Sequence, residues 1–299
     1  MRSIATGIVR NCADIIAFSV LNSILLGVDQ CVVVDNGSTD GTLELLTAMA
    51  KKLPRLRVIS DPSPFRQEQI VGTVINEYTR TARTIVIPFD CDEFWSAPIC
   101  ELAAYFKQEA VNILVCDVVN FIQSRVVTHS SRFSWLRARG RAAVVAGHAV
   151  SLVRDHRISF VEAEFPRKVL FQAEGAITLE KGAHDVAFPG SRAIATTRFS
   201  CFHLPLRSRQ ALMNRVYDGE PRVAPLRKGP EQSWQGLYFR DMLEQDLLAA
   251  EWRANSFDQS GCIDVYGTTR SIHYDHRLVM RLGRAYAYGL YLNVPMYPS

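Results

Sequence analysis

The chain has 299 residues, 48% of them apolar and 21% charged, which is enough apolar material for one large α/β domain or for such a domain with an appendage. A net charge of +4 suits a phosphorylated ligand but lacks the concentrated positive charge of a nucleic-acid binder, so no nucleic-acid partner is expected. Seven scattered cysteines, with no C-x-x-C pair and no zinc-type spacing, read as reduced thiols; with no signal peptide and no apolar run of bilayer length, a soluble cytoplasmic protein is predicted.

Short β-branched runs alternate with helical patterns over the first 120 residues, the signature of a wound parallel sheet. Residues 3–9 form the first strand candidate, and 14–26 read as a buried helix stopped by Gly27. Residues 31–34 are a fully apolar strand, 41–52 a helix that Asp40 can cap, and 56–59 a third strand. Ile70, Val71, Val74, Ile75 and Tyr78 recur on one helical face, and 84–88 make a fourth strand. A helix follows Pro98, and 112–119 supply a fifth strand. Beyond residue 125 the pattern loosens: 124–141 read as loop or connecting helix, and 182–192 and 218–233 as long loops. Helical patterns return at 235–254 and 274–292.

Two acidic turns lie at the carboxyl ends of predicted strands, where open parallel sheets bind ligands. The first is Asp35-Asn36-Gly37-Ser38-Thr39-Asp40-Gly41-Thr42. A carboxylate leaving a strand there can bind a ribose hydroxyl or base edge, and the following helix N-terminus favours anions; a tight turn with a helix cap explains the same string. The second is Asp90-Cys91-Asp92-Glu93-Phe94-Trp95. Two carboxylates one residue apart can point at one Mg²⁺ or Mn²⁺, which prefers oxygen ligands shared with substrate phosphates; an exposed acidic turn is the alternative. Trp95 and Trp135 fit either sugar stacking or core packing.

Together these residues resemble the family 2-like glycosyltransferases of the GT-A fold, in the branch with an extended D-x-D-E-F motif. Val9-Arg10-Asn11 after the first strand, Gly27-Val28-Asp29 ahead of the second, both acidic turns, and the late Phe202-His203-Leu204-Pro205-Leu206-Arg207-Ser208 agree in order and spacing. The resemblance covers roughly residues 3–217. It departs at Asp14, where relatives carry Glu, and at Leu204, where an aromatic is usual. It implies a Rossmann-like, mostly parallel sheet with flanking helices and a helical C-terminal extension, divided as a catalytic domain at 1–217 and an extension at 218–299. It also implies a metal-assisted, inverting transfer of a sugar from a UDP- or GDP-sugar to a glycan or lipid-linked acceptor. Asp35 would bind the nucleoside, Asp90 the ribose or the metal, and Asp92 the metal, with His203 as a third ligand. Arg10 would hold the base or a phosphate, Glu93 the turn or the donor sugar, and Arg207 a phosphate. No Glu-Asp pair supplies a base, which leaves Glu162, Glu164 and Asp185 as candidates; His184, oriented by Asp185, could also face the site.

The basic stretch 222–230 reads as a solvated loop or as a lid over the diphosphate. Arg277, Arg281 and Arg284 suit a helix packed on the catalytic domain with a basic outer face, or a peripheral contact with an anionic inner membrane surface. Two other readings remain at this stage. A sugar-phosphate nucleotidyltransferase would want a glycine-rich loop after the first strand, and residues 10–14 contain no glycine. A non-catalytic nucleotide-sugar or carbohydrate-binding protein would have kept the fold without the base.

Overall fold

The structure is a computed structural model that describes residues 2–64, 66–147, 149–214, 216 and 234–298. The expected loop 218–233, with its basic stretch 222–230, lies outside the described residues. The chain divides into two compact units: Met1–Val119, Pro166–His203 and Arg281–Ser299 in the first, Asn120–Phe165 and Leu204–Met280 in the second.

The first unit is built on an eight-stranded sheet. In chain order its strands are β1 (Arg2–Val9), β2 (Gln30–Asp35), β3 (Leu56–Ser60), β4 (Thr84–Pro88), β5 (Glu93–Trp95), β6 (Ile113–Asn120), β7 (Lys168–Ala173) and β8 (Ile194–His203). Their spatial order is β3-β2-β1-β4-β7-β6-β8-β5. The pairs β3–β2, β2–β1 and β1–β4 are parallel, as the alternating pattern predicts, because each helical crossover returns the chain to the same end of the sheet. Antiparallel β7 then separates β4 from β6, so those two run in the same direction. The runs Val32-Val33-Val34 and Ile85-Val86-Ile87 are almost wholly buried, as strands covered on both faces must be.

The helices of this unit are α1 (Ile16–Leu25), α2 (Thr42–Ala50), α3 (Gln67–Thr79), α4 (Ile99–Gln108) and α5 (Arg277–Tyr291), the last joining it from Arg281 onward. Val71, Val74 and Ile75 of α3 enter the core with Ile70 and Tyr78 at its margin, the face that the spacing predicted. Helix α5 packs closely on α1: a Cβ on Gly289 would come within 2.9 Å of Leu21, and Phe18 stacks on Tyr286. Arg281 of α5 points inward, bonding Asn22 Oδ1 at 3.2 Å and lying over the Phe202 ring. Arg277 is tied to Asp275, so of the three arginines expected on a basic outer face, Arg281 is taken from it and Arg277 is already paired. No described helix is long and apolar enough to cross a membrane.

The second unit has its own aromatic core around Phe160, Tyr238, Phe239 and Trp252. Two helices, Trp234–Glu244 and Leu248–Ala254, occupy the expected helical stretch; Asp246, with φ +57°, breaks them apart. They are joined by strands that the sequence reading did not anticipate, the antiparallel pair Cys262–Val265 and Thr268–Ser271. Glu251, 1% exposed, accepts hydrogen bonds from Tyr238, Tyr266 and Asn255, which meets the requirement of its burial.

Candidate active site

Both acidic turns emerge at the carboxyl edge of the parallel strands. Asp35 ends β2 opposite Val9 of β1, and Thr6 of β1 lies opposite Pro88 of β4, so Asp35 and Asp90 leave the same edge two strands apart, about 10 Å by the usual strand spacing. The chain after β4 turns across β1 because residue 7 is glycine. A Cβ there would sit 2.1 Å from the Phe89 carbonyl oxygen, and the Phe89 amide donates to the Thr6 carbonyl at 3.0 Å.

The first turn is held by short-range bonds and by the neighbouring loop. Asp35 is fully buried; its Oδ2 accepts from the amides of Gly37 (3.1 Å) and Ser38 (3.0 Å), while its Oδ1 has no donor among the described residues. Asn11 accepts from the Thr39 amide at 2.8 Å, and Asp40 accepts from the amides of Ala13 and Thr42, each at 3.0 Å. Arg10 reaches the Asn36 carbonyl at 3.4 Å, and its buried Nε has no acceptor among the described residues. A buried carboxylate oxygen and a guanidinium nitrogen without partners are costly to maintain unless a ligand completes them.

The second turn is held by residues distant in sequence. Asp90 Oδ1 accepts from Gln67 Nε2 at 2.8 Å and Oδ2 from Lys168 Nζ at 2.8 Å. Lys168, 5% exposed, also contacts Glu93 Oε1 at 2.5 Å, and Glu93 Oε2 accepts from the Asp90 amide at 3.1 Å. Ser19 of α1 donates to the Cys91 carbonyl, Asn22 to that of Trp95, and the Trp95 indole to Pro88 at 2.7 Å. Trp95 is therefore a core residue, 1% exposed.

β8 pairs antiparallel with β5 and sets His203 opposite Glu93, with its Nε2 3.8 Å from Asp92 Oδ1. Burial pushes the Glu93 carboxyl up to about 8 despite Lys168, with Asp90 and Asp92 adding to the rise. Burial acts on Asp90 in the same sense, but Lys168, His203 and Gln67 outweigh it and hold that carboxyl below its ordinary range. Flanked by both carboxylates, Lys168 stays charged in spite of its burial.

The family model described as Glycosyl transferase family 2 matches residues 8–161, over half of the chain and both acidic turns. The chain belongs to glycosyltransferase family 2. No curated protein matches it. Among solved structures it is similar to S. aureus TarS, at 14% identity and a TM-score of 0.36, covering 74% of this chain and 40% of that one. The TarS segment 1–349 aligns at 12% identity and the same TM-score over 93% of this chain and 98% of the segment. A Pyrobaculum calidifontis mannosyltransferase, PcManGT, solved with GDP-Man and Mn²⁺, aligns at 17% identity and a TM-score of 0.41, covering 97% of this chain and 81% of that one.

Asp35, Asp90, Asp92, Glu93, Arg10 and His203 of this family 2 chain all lie in the first unit. Arg207, Glu162 and Glu164 lie in the second. Glu162 is 3% exposed and spends its oxygens on the Ser159 amide and hydroxyl and on Arg270 at 2.8 Å, while Glu164 is exposed. The Arg207 carbonyl accepts from Gln123. Asp185, in the first unit, is half-exposed, paired with Arg192 and bonded to the Val186 amide at 2.8 Å; His184 bonds the Arg167 carbonyl at 2.8 Å. Trp135 packs in the second unit.

Family 2 membership implies a divalent ion, for which Asp90, Asp92 and His203 were the expected ligands. Among the described residues no group of three or more His, Cys, Asp or Glu side chains could hold a metal. All four oxygens of Asp90 and Glu93 already accept from, or contact, a nitrogen. Asp92 Oδ1 and His203 Nε2 lie 3.8 Å apart, a separation that one ion bonded to each at about 2.0–2.2 Å would span. Such an ion takes its other ligands from water and substrate phosphates.

Sequence reading missed Lys168, Gln67, Ser19 and Asn22. The polar residues of α1 look like interruptions of an apolar run, yet Ser19 and Asn22 hold the backbone of the second turn. A lone lysine heading the apolar run Val169-Leu170-Phe171 was the available signal for Lys168.

Proposed function

We propose that this chain moves a sugar from a nucleotide-sugar of the UDP or GDP class to an acceptor hydroxyl, by single displacement with inversion. The observation that carries the reading is the buried Asp35 oxygen without a hydrogen-bond donor, at the sheet edge shared by the two acidic turns of a family 2 chain. Asp35 accepts a hydrogen bond from the base or ribose, and Arg10 lies beside it for the base or a phosphate. Asp90, fixed by Gln67 and Lys168, accepts from the ribose at the part of its carboxylate left accessible. Mn²⁺ or Mg²⁺ on Asp92 and His203 would neutralise the charge that develops on the leaving diphosphate.

The acceptor oxygen forms its bond to the anomeric carbon as the bond to the diphosphate breaks and its electron pair leaves with the diphosphate. A carboxylate takes the acceptor's proton. Asp185 and Glu164 are the candidates kept for this role, since Glu162 is committed to Ser159 and Arg270. A glycan or lipid-linked glycan is the acceptor class, and catalysis belongs to the portion of the chain carrying both turns.

The test is to incubate the protein with UDP- and GDP-sugars, Mn²⁺ and a panel of acceptor glycans. Release of nucleoside diphosphate that stops on chelation is expected. Release of pyrophosphate from a nucleoside triphosphate and a sugar phosphate, with no nucleotide-sugar consumed, would instead identify a nucleotidyltransferase.

A further inference from the structure

The second unit contains a cleft of about 310 Å³ that shares no residue with the sheet edge of the first. One wall is the helix Trp234–Glu244 with Gln245 just after it. Tyr238, Asp241, Met242 and Gln245 recur there at the spacing of a single helical face. The other wall is the end of the helix Ala149–Arg154, which brings Arg154 and His156. The volume lies at the small end of the range for small-molecule sites, about 300–1,000 Å³. The Trp234–Glu244 wall lies beyond residue 161, where the family match ends.

A buried carboxylate ties the two walls together. Glu251 accepts from Tyr238 at 2.7 Å on the helix side and from Tyr266 at 2.8 Å. The imidazole of His156 stacks on Tyr266, with ring centroids 3.8 Å apart. His156 stands at φ +55°, its amide donating to the Val153 carbonyl at 3.0 Å and that of Arg157 to Leu152 at 2.9 Å. This pattern ends a helix on a left-handed residue, a place where glycine carries no steric penalty. Histidine holds it in spite of the strain, and its buried Nδ1 has no partner among the described residues. Arg154 and Asp241, of opposite charge, line the same cleft without an ion pair to any described residue. An entering ligand would complete these groups.

We propose that this cleft binds a neutral glycosyl residue, as a sugar subsite separate from the nucleotide site. A guanidinium that donates in pairs and a carboxylate that accepts in pairs match vicinal hydroxyls, and the Gln245 amide does both. Leu237 and Met242 give the C–H face of a pyranose ring an apolar surface to lie on. A phosphate would be repelled by Asp241 and an ammonium by Arg154, so a ligand rich in hydroxyls and without charge suits both. That the sugar belongs to the acceptor glycan rests on the glycosyltransferase reading; sugar binding by the cleft does not.

The experiment titrates the full chain, free of Mn²⁺ and nucleotide, with neutral di- and trisaccharides of glucose, galactose, mannose and N-acetylglucosamine, followed by ligand-observed NMR. At least one is expected to bind with a Kd of about 1 mM or tighter, and saturating UDP or GDP with Mn²⁺ should not displace it. Asp241→Ala and Gln245→Ala should each weaken binding about tenfold. His156→Gly separates a ligand role from a structural one. Glycine suits the left-handed backbone, so the variant should fold, yet its affinity should also fall about tenfold.

No binding by any of these saccharides would overturn the proposal, as would binding that survives Asp241→Ala and Gln245→Ala at wild-type strength. Displacement by UDP or GDP would put the sugar at the sheet edge and would overturn it too. Competition by inorganic phosphate would overturn the neutral class of ligand. Saccharide binding as expected, with no nucleoside diphosphate released from any nucleotide-sugar, would count against the transferase reading alone.

Discussion

The two acidic turns occupy the same edge of one sheet and are stabilised in opposite ways. The first satisfies itself locally: Asp35 is held by amides two and three residues ahead, and Asn11 and Asp40 lace it to the adjacent loop. It ends with a buried oxygen still open. The second is fixed by four distant segments, α1 through Ser19 and Asn22, the start of α3 through Gln67, β7 through Lys168, and β8 through pairing with β5. A turn built from its own backbone can present one carboxylate in one place, which suits recognition of a fixed nucleoside. A turn that must gather several negative charges needs counter-charge from elsewhere in the fold.

This contrast sets the size of the expected effects. The largest belongs to the second turn. Asp92→Ala should lower kcat on the order of 10²–10³-fold, because on the proposed reading the residue holds the ion that offsets the charge developing on the leaving diphosphate; normal Mn²⁺-dependent turnover in a folded variant would remove the second turn from the reaction. Asp35→Ala should act on donor binding, raising KM for the nucleotide-sugar about 10- to 100-fold, as expected for one hydrogen bond to a charged group. If kcat fell and KM stayed constant, the division of labour between the turns would be wrong.

Gly7→Ala tests how the second turn is placed. Its Cβ would meet the Phe89 carbonyl at 2.1 Å, so the chain must shift at a cost of about 1–3 kcal/mol, and chemical denaturation should register that loss together with weaker Mn²⁺-supported nucleotide binding. The smallest effect is a pH slope. The Glu93 carboxyl rises from 4.5 to about 8 on folding, so the folded chain holds more protons than the unfolded one between those values. Its contribution is complete below 4.5 and is lost as the pH rises through 8. The stability of the metal-free wild type relative to Glu93→Gln should therefore decline from pH 5 to pH 8, and a flat difference would mean that Glu93 is not buried against its neighbours.

The same contrast separates what was legible in the sequence from what was not. The wound sheet of β1 to β4, the helical face of α3 and the placement of Asp35 and Asp90 at strand ends follow from periodicity and turn composition, which are local properties. β7 and β8 were not legible. β7 is a short run headed by a buried lysine, and β8 opens with the half-exposed polar stretch Thr196-Thr197-Arg198 before its buried end. Both enter the sheet by pairing across long sequence separations, and with them came Lys168 and the register that sets His203 opposite Glu93. Glu162 illustrates the converse: a carboxylate in a plausible sequence region proved to close a capping box with Ser159 and to pair with Arg270.

The central claim is that this edge holds a nucleoside diphosphate through Asp35 and, through Asp92 and His203, the ion that accompanies it. A crystal structure with UDP or GDP and Mn²⁺, using the anomalous signal of manganese, measures this directly. The expected result is one manganese peak within bonding distance of an Asp92 oxygen and His203 Nε2, with Lys168 still on Asp90 and the nucleoside bonded to Asp35 Oδ1. A nucleotide bound elsewhere, or a manganese ion absent from Asp92 while the nucleotide is present, would contradict the account.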